Sequence, residues 1–178
     1  MRKITIQLLL VMMAILTSTS CSKNNEKIDK EELDEKNLTP CPENLNCQYL
    51  FTENADINEA GSLLVGGPYR LFWAEFRNGG FRRVIYVKAP MKGNNFTLNK
   101  QAILDGKVQL IYGCPNCLMV AYKPVDGYVK GKNLTPDKRA DQTKWLLEAK
   151  IILEAVAGPA QRDTITVKQY FDPNFVFN

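Results

Sequence analysis

Two apolar stretches, Tyr69–Arg77 and Phe81–Lys88, are separated by Gly79-Gly80 and limit the fold more than any other part of the chain. A glycine pair between stretches rich in aromatic and β-branched residues is typical of a β-hairpin. Both stretches carry apolar side chains at odd and at even positions, whereas a strand with one solvated face alternates apolar and polar residues. The sequence therefore predicts a central hairpin whose strands are covered on both faces. The apolar positions are Leu71, Phe72, Trp73, Phe76, Val84, Ile85, Tyr86 and Val87.

Shorter strand-like segments recur along the chain between turn residues. Trp145–Val156 is ambiguous, because its Leu, Ala, Glu and Lys content favours a helix while its apolar residues alternate with charged ones. We interpret it as a long strand paired with the last one, with a helix packed on the sheet as the alternative. Asn99 is expected to cap one helical turn that reaches Leu104. The other predicted strands are Gln48–Thr52, Lys107–Tyr112, Leu118–Lys123, Gly127–Lys132 and Thr164–Phe171.

The number and spacing of these strands indicate the fold class. Short strands separated by turns build antiparallel sandwiches and barrels. We expect a mostly β fold, a single-domain antiparallel β-sandwich or partly closed barrel with one short helix. The domain is expected to span residues 41–178, a length that supports one substantial core.

The amino terminus has a different composition. The basic pair Arg2-Lys3 precedes an apolar run, Ile4–Leu16, and a short hydroxyl-rich stretch ends directly before Cys21. The run is shorter than the roughly 20 apolar residues of a membrane-spanning helix. This layout resembles the signal of bacterial lipoproteins. The resemblance implies that residues 1–20 are removed as a signal peptide, and that Cys21 and the new amino terminus receive lipid chains such as palmitate.

The resemblance also implies a location. An aspartate directly after the lipidated cysteine resembles an inner-membrane retention signal, but this chain has Ser22 there. The resemblance therefore favours a lipid anchor in the outer membrane, facing the periplasm or the cell surface. Residues 21–40 are highly charged and nearly free of apolar side chains, so we expect a disordered tether. The expected partners are the membrane, through the lipid, and a glycan or an envelope protein. An ordinary cleaved signal that ends beside a cysteine is the alternative.

Composition argues against several functional classes. The formal net charge of +4 leaves a mild basic excess in the domain, whereas nucleic-acid binding requires a clustered and far more basic face. The chain contains no histidine, so it cannot form a Ser-His-Asp or Cys-His catalytic site or one of the common zinc hydrolase sites. We therefore expect no nucleic-acid partner, no catalytic residue, no metal and no cofactor.

Four further cysteines follow Cys21, an even number that suits an oxidising compartment. We expect the local pairs Cys41–Cys47 and Cys114–Cys117, with the crossed pairings as alternatives. Cys114 and Cys117 also have the CxxC spacing of thiol oxidoreductases, in which the first cysteine begins a helix. Strand-forming residues flank this motif and its Pro-Asn pair favours a turn, so we interpret it as a clamp at a hairpin tip.

The central hairpin concentrates aromatic residues and arginines, which stack on sugars or bind acidic groups when they are exposed. Trp73, Arg82 and Arg83 are the candidate ligand-binding residues, with core packing and strand edges as their alternative roles. Arg82 and Arg83 are adjacent, so their side chains are expected on opposite faces of the strand. Asp163-Thr164-Ile165 is similar to an O-glycosylation sequon of one Gram-negative group, which implies a glycan on Thr164.

Together these features predict a membrane-anchored envelope lipoprotein whose domain acts as a binding or accessory module and not as an enzyme. One alternative is a periplasmic thiol oxidoreductase that uses Cys114 and Cys117. Another is a small glycan hydrolase that uses a pair of carboxylates. The carboxylates available for it are Glu75, Asp105, Asp126, Glu148 and Glu154.

Overall fold

A computed structural model of the chain describes residues 33–58, 63–114 and 120–175, which belong to the compact unit Leu33–Asn178. The described residues form nine strands, one short helix, one wider helical turn, Ile103–Lys107, and one 3₁₀ turn, Ala140–Gln142. The helix, α1, is Lys100–Ala102. The strands are β1 (Asn46–Ile57), β2 (Leu64–Gly66), β3 (Tyr69–Asn78), β4 (Phe81–Pro90), β5 (Asn95–Leu98), β6 (Val108–Gly113), β7 (Tyr122–Asn133), β8 (Trp145–Ala155) and β9 (Arg162–Pro173).

All nine strands belong to one sheet with the order β5-β7-β8-β9-β1-β3-β4-β6, and β2 pairs with β1. Neighbouring strands are antiparallel except β1 and β9, which run parallel where Leu50 meets Asp172 and Phe51 meets Pro173. The sheet curls into an open half-barrel. The predicted mostly β fold with one short helix is confirmed. Among the described residues no helix is long and apolar enough to cross a membrane.

The central hairpin is present as the sequence predicts. Strands β3 and β4 pair from Tyr69 and Pro90 at one end to Asn78 and Phe81 at the other. Their middle residues are buried on both faces, which explains why apolar side chains occupy successive positions. Alternate residues enter two different apolar clusters, because successive side chains of a strand point to opposite faces.

The larger cluster fills the inside of the curl and is built around aromatic rings. Phe72 lies at its centre, with ring centroids 5.4 Å from Phe51, 5.5 Å from Trp145 and 5.6 Å from Phe96. These four side chains come from β1, β3, β5 and β8, so the cluster joins both halves of the sheet. Burying a large apolar side chain stabilises a fold by about 1.5–3 kcal/mol. The main core therefore stabilises the curled shape of the sheet.

The smaller cluster lies on the opposite face of β1, β3 and β4. It contains Leu71 and Trp73 from β3 and Val84 and Tyr86 from β4, all of them buried. Ala55 and Ile57 add apolar surface from the end of β1. Because this second cluster covers the other face of the hairpin, apolar side chains occupy successive positions along β3 and β4.

The ambiguous segment Trp145–Val156 is a strand, as we interpreted it. Strand β8 pairs with β7 on one side and with β9 on the other along its whole length. Leu147 and Ile151 face the main core, while Lys150 on the opposite face is exposed. Period-two alternation thus outweighs the helix-forming composition, because pairing on both edges fixes the extended backbone.

The predicted hairpin around the CxxC motif is wrong for the described residues. Strand β6 pairs with β4, and Tyr122 and Lys123 begin the long strand β7, which pairs with β5 and β8. The predicted strand Gly127–Lys132 and the end of the predicted strand Leu118–Lys123 belong to this one strand, which accommodates Pro124 at a bulge before Asp126. The residues 115–119 of the predicted turn lie outside the described part of the chain.

The helical turn predicted at Asn99 is also present. The Asn99 side chain accepts a hydrogen bond from the Ala102 amide at 3.1 Å, as an N-cap residue does. A wider helical turn, Ile103–Lys107, follows α1 and leads directly into β6. These turns place Lys107 at the end of the barrel beside the central hairpin.

The segment 33–40, which the sequence assigned to the tether, contacts the outer face of β9. The Thr39 amide donates to the Lys168 carbonyl at 2.8 Å, and the Lys168 amide donates to the Thr39 hydroxyl at 2.9 Å. The Lys168 ammonium lies 2.7 Å from the Asp34 carboxylate, and the Tyr170 hydroxyl donates to Glu35. We call residues 34–39 the strap. Residues 21–32 and the signal peptide lie outside the described residues.

Candidate functional site

A cleft of about 510 Å³ opens at one end of the half-barrel, between the central hairpin and the turns around α1. Tyr69 at the start of β3 lies opposite Pro90 at the end of β4, and Lys107 enters from the wide turn before β6. Three basic residues line this cleft, which we call the lysine cleft. Apolar residues form most of the remaining wall: Pro68, Pro90, Met91, Leu98 and Ala102.

Tyr69 is the centre of the charge arrangement in the lysine cleft. The Lys107 ammonium donates to the Tyr69 hydroxyl at 2.7 Å and lies 4.3 Å from the ring centroid. The Lys88 ammonium lies 5.8 Å from the same centroid and 2.6 Å from the Asp56 carboxylate. Lysines beside an aromatic ring make cation–π contacts, which hold them in place without neutralising their charge.

The cleft keeps a positive character. Lys92 is exposed, and neither Lys92 nor Lys107 has an ion-pair partner among the described residues. Asp105 is the carboxylate that lines the cleft, and it accepts a hydrogen bond from Gln101 at 2.8 Å. An apolar cleft with a few charged groups at fixed positions suits a ligand that combines apolar surface with an acidic group.

Arg70 holds one wall of the cleft in place from behind. Its guanidinium donates to the Glu53 carboxylate at 2.9 Å and to the Met91 carbonyl at 3.0 Å. The same group lies 4.4 Å above the Trp145 ring and is buried. A buried arginine that is paired, stacked and bonded to backbone loses little mobility on binding, so the loop at Met91 is preorganised.

The three residues singled out from the sequence lie elsewhere. Trp73 is 6% exposed and packs in the smaller apolar cluster, which corresponds to the core role that we named as its alternative. Arg82 lies on the outer face, where it donates to Glu75 at 2.9 Å. Arg83 lies on the inner face at the opposite end of the barrel from the lysine cleft, with its guanidinium 5.0 Å from the Phe76 ring.

Glu75 is the most buried of the carboxylates named for a hydrolase. It accepts hydrogen bonds from both Arg77 and Arg82. Burial raises the pKa of Glu75, but the hydrogen bonds and charges of Arg82 and Arg77 outweigh it and leave the pKa below the ordinary glutamate value. This carboxylate is therefore ionised at neutral pH and serves to pair two arginines.

Each of the other four carboxylates is also paired with a polar or basic side chain. Lys100 binds Asp126 at 2.8 Å and lowers its pKa, mainly through the hydrogen bond. Glu148 accepts from the Tyr128 hydroxyl at 2.7 Å and Glu154 lies 3.5 Å from Arg162. Asp105 lines the lysine cleft as described above.

The cysteines fit the local pairing scheme in the part that the structure describes. Cys41 and Cys47 form a disulfide with a Cα–Cα distance of 5.9 Å, which excludes the crossed pairings. Cys114 is disulfide-bonded as well, and Cys117 lies outside the described residues. Within the described ranges no cluster of three acidic or sulfur-bearing side chains has the geometry of a metal site.

Of the two modification sites predicted from the sequence, one lies among the described residues. Thr164 is exposed on β9, where it pairs with Ile152, and its amide donates to the Asp163 carboxylate at 2.7 Å. A transferase could therefore reach its hydroxyl without unfolding the sheet. Cys21, the expected site of lipid attachment, lies outside the described residues.

Comparison with known proteins adds no assignment: no family model matches this chain, and neither the curated proteins nor the solved structures yield a match. The functional argument therefore depends on the geometry of the chain itself.

Sequence reasoning missed the lysine cleft. Its basic residues lie in three separate parts of the chain: Lys88, Lys92 and Lys107. Nothing in the sequence around them distinguishes them from ordinary surface lysines. They meet around Tyr69 because β3 pairs with β4 and β4 with β6. One signal in the sequence could have found the cleft. In a hairpin that runs from Tyr69 to Lys92, strand pairing brings Lys88 and Lys92 back beside the aromatic residue at which the hairpin starts.

Proposed function

We propose that this protein is a lipid-anchored envelope protein whose β domain is a binding or accessory module, and that the lysine cleft is its binding site. The arrangement around Tyr69 carries the proposal. Two ammonium groups flank one ring at 4.3 and 5.8 Å, at the mouth of a cleft with mostly apolar walls. The Arg70 contacts that fix the Met91 wall support a preformed site.

The shape and charge of the cleft favour one class of ligand. Its volume of about 510 Å³ suits a few side chains and not an extended macromolecular interface. Met91 offers an adaptable apolar surface, and the ammonium groups of Lys92 and Lys107 offer donors for a carboxylate. The ligand is therefore an acidic, largely apolar segment of an envelope protein.

The binding role is tested with a defined probe. Capped peptides that contain leucine, phenylalanine and one glutamate are titrated into the protein, and the methyl resonances of Met91, Leu98 and Ala102 are followed by NMR. We expect saturable shifts at these methyls, and affinity about tenfold lower when Lys107→Gln removes one charge-assisted hydrogen bond. Lys150→Gln is the matched control, because Lys150 is an exposed lysine on the outer face of β8.

Two outcomes would refute the binding role of the cleft. One is the absence of saturable shifts at the cleft methyls with every acidic peptide. The other is an equal loss of affinity in Lys107→Gln and Lys150→Gln, since general charge screening, unlike a specific contact, affects both variants alike.

The lipid anchor has a separate test. Several acyl chains on one cysteine hold a protein on a bilayer, whereas a single chain binds only reversibly. The intact mass of protein extracted from its own membranes is expected to equal the chain from Cys21 onward plus three acyl groups and glycerol. A mass equal to that of the bare polypeptide would refute the lipid anchor. A further hexose-sized increment that maps to Thr164 would establish the glycan, and its absence would exclude it.

A further inference from the structure

The adjacent arginines of β4 have different surroundings. Arg82, on the outer face, shares the Glu75 carboxylate with Arg77. Arg83, on the inner face, has no carboxylate within ion-pair distance among the described residues. Glu75 thus satisfies two of the three guanidinium groups at this end of the hairpin and leaves the third without a counter-charge.

The Arg83 side chain is also incompletely hydrogen-bonded. Its Nε is buried and has no hydrogen-bond partner in the described part of the chain, although the guanidinium carbon lies 5.0 Å from the Phe76 ring centroid. A buried charged donor without a partner costs free energy, and native proteins rarely leave one unless a ligand or an ion completes it. An acceptor from outside the chain can reach only the other guanidinium nitrogens, whose charge no described carboxylate balances.

Several polar residues lie near Arg83 at this end of the main core, and we call this group the arginine mouth. Tyr112 of β6 lies directly across the ladder from Arg83. Arg83, Asp163 and Tyr122 all lie close enough to Tyr112 to influence its pKa, which burial raises above the ordinary tyrosine value. The Tyr122 hydroxyl donates to the Gln161 side chain at 3.3 Å. The raised pKa keeps the Tyr112 phenol protonated at neutral pH, and a phenol can donate or accept hydrogen bonds.

We infer that the arginine mouth binds a sugar acid, with Arg83 holding its carboxylate. A guanidinium presents a planar pair of N–H donors that matches a carboxylate and exceeds what a lysine offers. The tyrosine rings supply flat surfaces for a pyranose, and the side chains of Gln161 and Asp163 supply acceptors for its hydroxyl groups.

Asp163 separates this ligand class from a simple anion. Its carboxylate lies near Tyr112 and forms no ion pair with Arg83 among the described residues, so it repels a compact inorganic anion. A sugar acid places its carboxylate on Arg83 and a hydroxyl on Asp163, which satisfies both groups. The site is separate from the lysine cleft, because none of its residues lines that cleft.

The test uses D-glucuronate as the probe, with D-glucose and inorganic phosphate as comparison ligands. Ring resonances of Tyr112 and Tyr122 in the unmodified protein are followed by NMR, so the primary result does not depend on any variant. We expect saturable shifts with glucuronate, weaker binding of glucose, and weaker binding of phosphate. Binding of an adventitious anion only, with phosphate equal to glucuronate, would overturn the inference.

Variants then assign the carboxylate contact. Arg83→Gln is expected to weaken glucuronate binding by about tenfold or more, because one charge-assisted bidentate contact is lost. Arg83→Lys keeps the charge but not the planar pair of donors. Its affinity for glucuronate is expected to lie between those of the unmodified protein and of Arg83→Gln. Arg139→Gln is the matched control, since Arg139 is an exposed arginine that pairs with Asp141 on a surface turn. An equal loss in the Arg139 and Arg83 variants would contradict the inference, and so would tyrosine shifts that do not saturate.

The two sites can fail independently. Lys107→Gln alters the lysine cleft and is expected to leave glucuronate binding unchanged, whereas Arg83→Gln is expected to leave peptide binding unchanged. Loss of peptide binding with intact glucuronate binding would refute the proposed function alone. The reverse result would refute the inference about Arg83 alone.

Discussion

Gly127 lies at the closest approach between two strands of the sheet. Its φ of +116° belongs to a region that side-chain-bearing residues rarely adopt, and a Cβ there would stand 1.9 Å from the Lys150 carbonyl oxygen. Gly127→Ala would therefore force β7 away from β8 and lower the free energy of unfolding by more than about 3 kcal/mol, measured by urea denaturation.

Gly66→Ala is the matched control for this prediction. A Cβ at Gly66 meets nothing within 4 Å, so the free energy of unfolding is expected to change by less than about 0.5 kcal/mol. Similar small effects at both glycines would show that β7 and β8 do not meet in the described register.

Glu75 links stability to pH. Its pKa is below the ordinary glutamate value because Arg82 and Arg77 outweigh the effect of burial. A carboxyl group with a lowered folded-state pKa stabilises the fold at pH values above its unfolded-state pKa, and this contribution is lost as the pH falls through the folded-state pKa. We therefore expect Glu75→Gln to lower the free energy of unfolding by about 2 kcal/mol near neutral pH and by much less near about pH 3.

The measurement is a pair of urea titrations at each pH, with Glu154→Gln as the control. Glu154 pairs with Arg162 on the surface, where an ion pair contributes little. A cost of Glu75→Gln that stays constant with pH would mean that the charge of Glu75 is not what stabilises the hairpin.

At the scale of elements, the strap is joined to β9 mainly through Lys168. The Lys168 ammonium is within 2.7 Å of Asp34 and 3.7 Å of Glu148, and its side chain is 14% exposed. Hydrogen bonding to Asp34 is the main reason that the pKa of Lys168 is raised, and the same bond lowers the pKa of Asp34. Both groups are therefore charged at neutral pH.

Lys168→Ala is expected to release the strap locally. The Thr39 amide, which donates to the Lys168 carbonyl, should exchange its hydrogen at least about tenfold faster, while β8 amides keep their protection because the sheet ladder is unchanged. Lys150→Ala, an exposed lysine on the neighbouring strand, is expected to leave Thr39 exchange unchanged. Uniformly faster exchange across the sheet would instead assign Lys168 a global structural role.

The elements also show what sequence can predict here. The hairpin at Gly79-Gly80 and the strand Trp145–Ala155 follow from local alternation and turn chemistry, and both are confirmed. Strand β5, only Asn95–Leu98, was missed because four residues carry too little alternation to stand out. The pairing of β6 with β4 was missed because long-range pairing depends on the curl of the whole sheet.

The candidate sites illustrate the same limit. Arg83 was named from the sequence because it stands in an aromatic hairpin, but its lack of a counter-charge depends on how Arg82 and Arg77 share Glu75. The lysine cleft was not predicted, since Tyr69 and Lys107 are 38 residues apart and meet through two ladders. Local patterns identify candidate residues, whereas the strand pairing of the whole sheet determines which of them come into contact.

At the scale of the whole molecule, one curled sheet places two different recognition chemistries at its two ends. The lysine cleft combines apolar walls with ammonium groups, and the arginine mouth combines phenols with one guanidinium. Under the proposed lipid anchor, such a domain would contact neighbouring proteins at high effective concentration. The central claim is that the lysine cleft is where such a neighbour binds.

Site-specific photo-crosslinking on native membranes tests that claim most directly. A photoreactive phenylalanine analogue replaces Lys92, which lines the cleft, so that Lys107 remains as the proposed donor to the carboxylate. In the control the analogue replaces Lys150 on the outer face of β8. We predict one light-dependent adduct from position 92, lost when Lys107→Gln is added and when the acidic peptide is present in excess, and no such adduct from position 150. The same adduct from both positions, or an adduct from position 92 that survives Lys107→Gln and the peptide, would contradict the account.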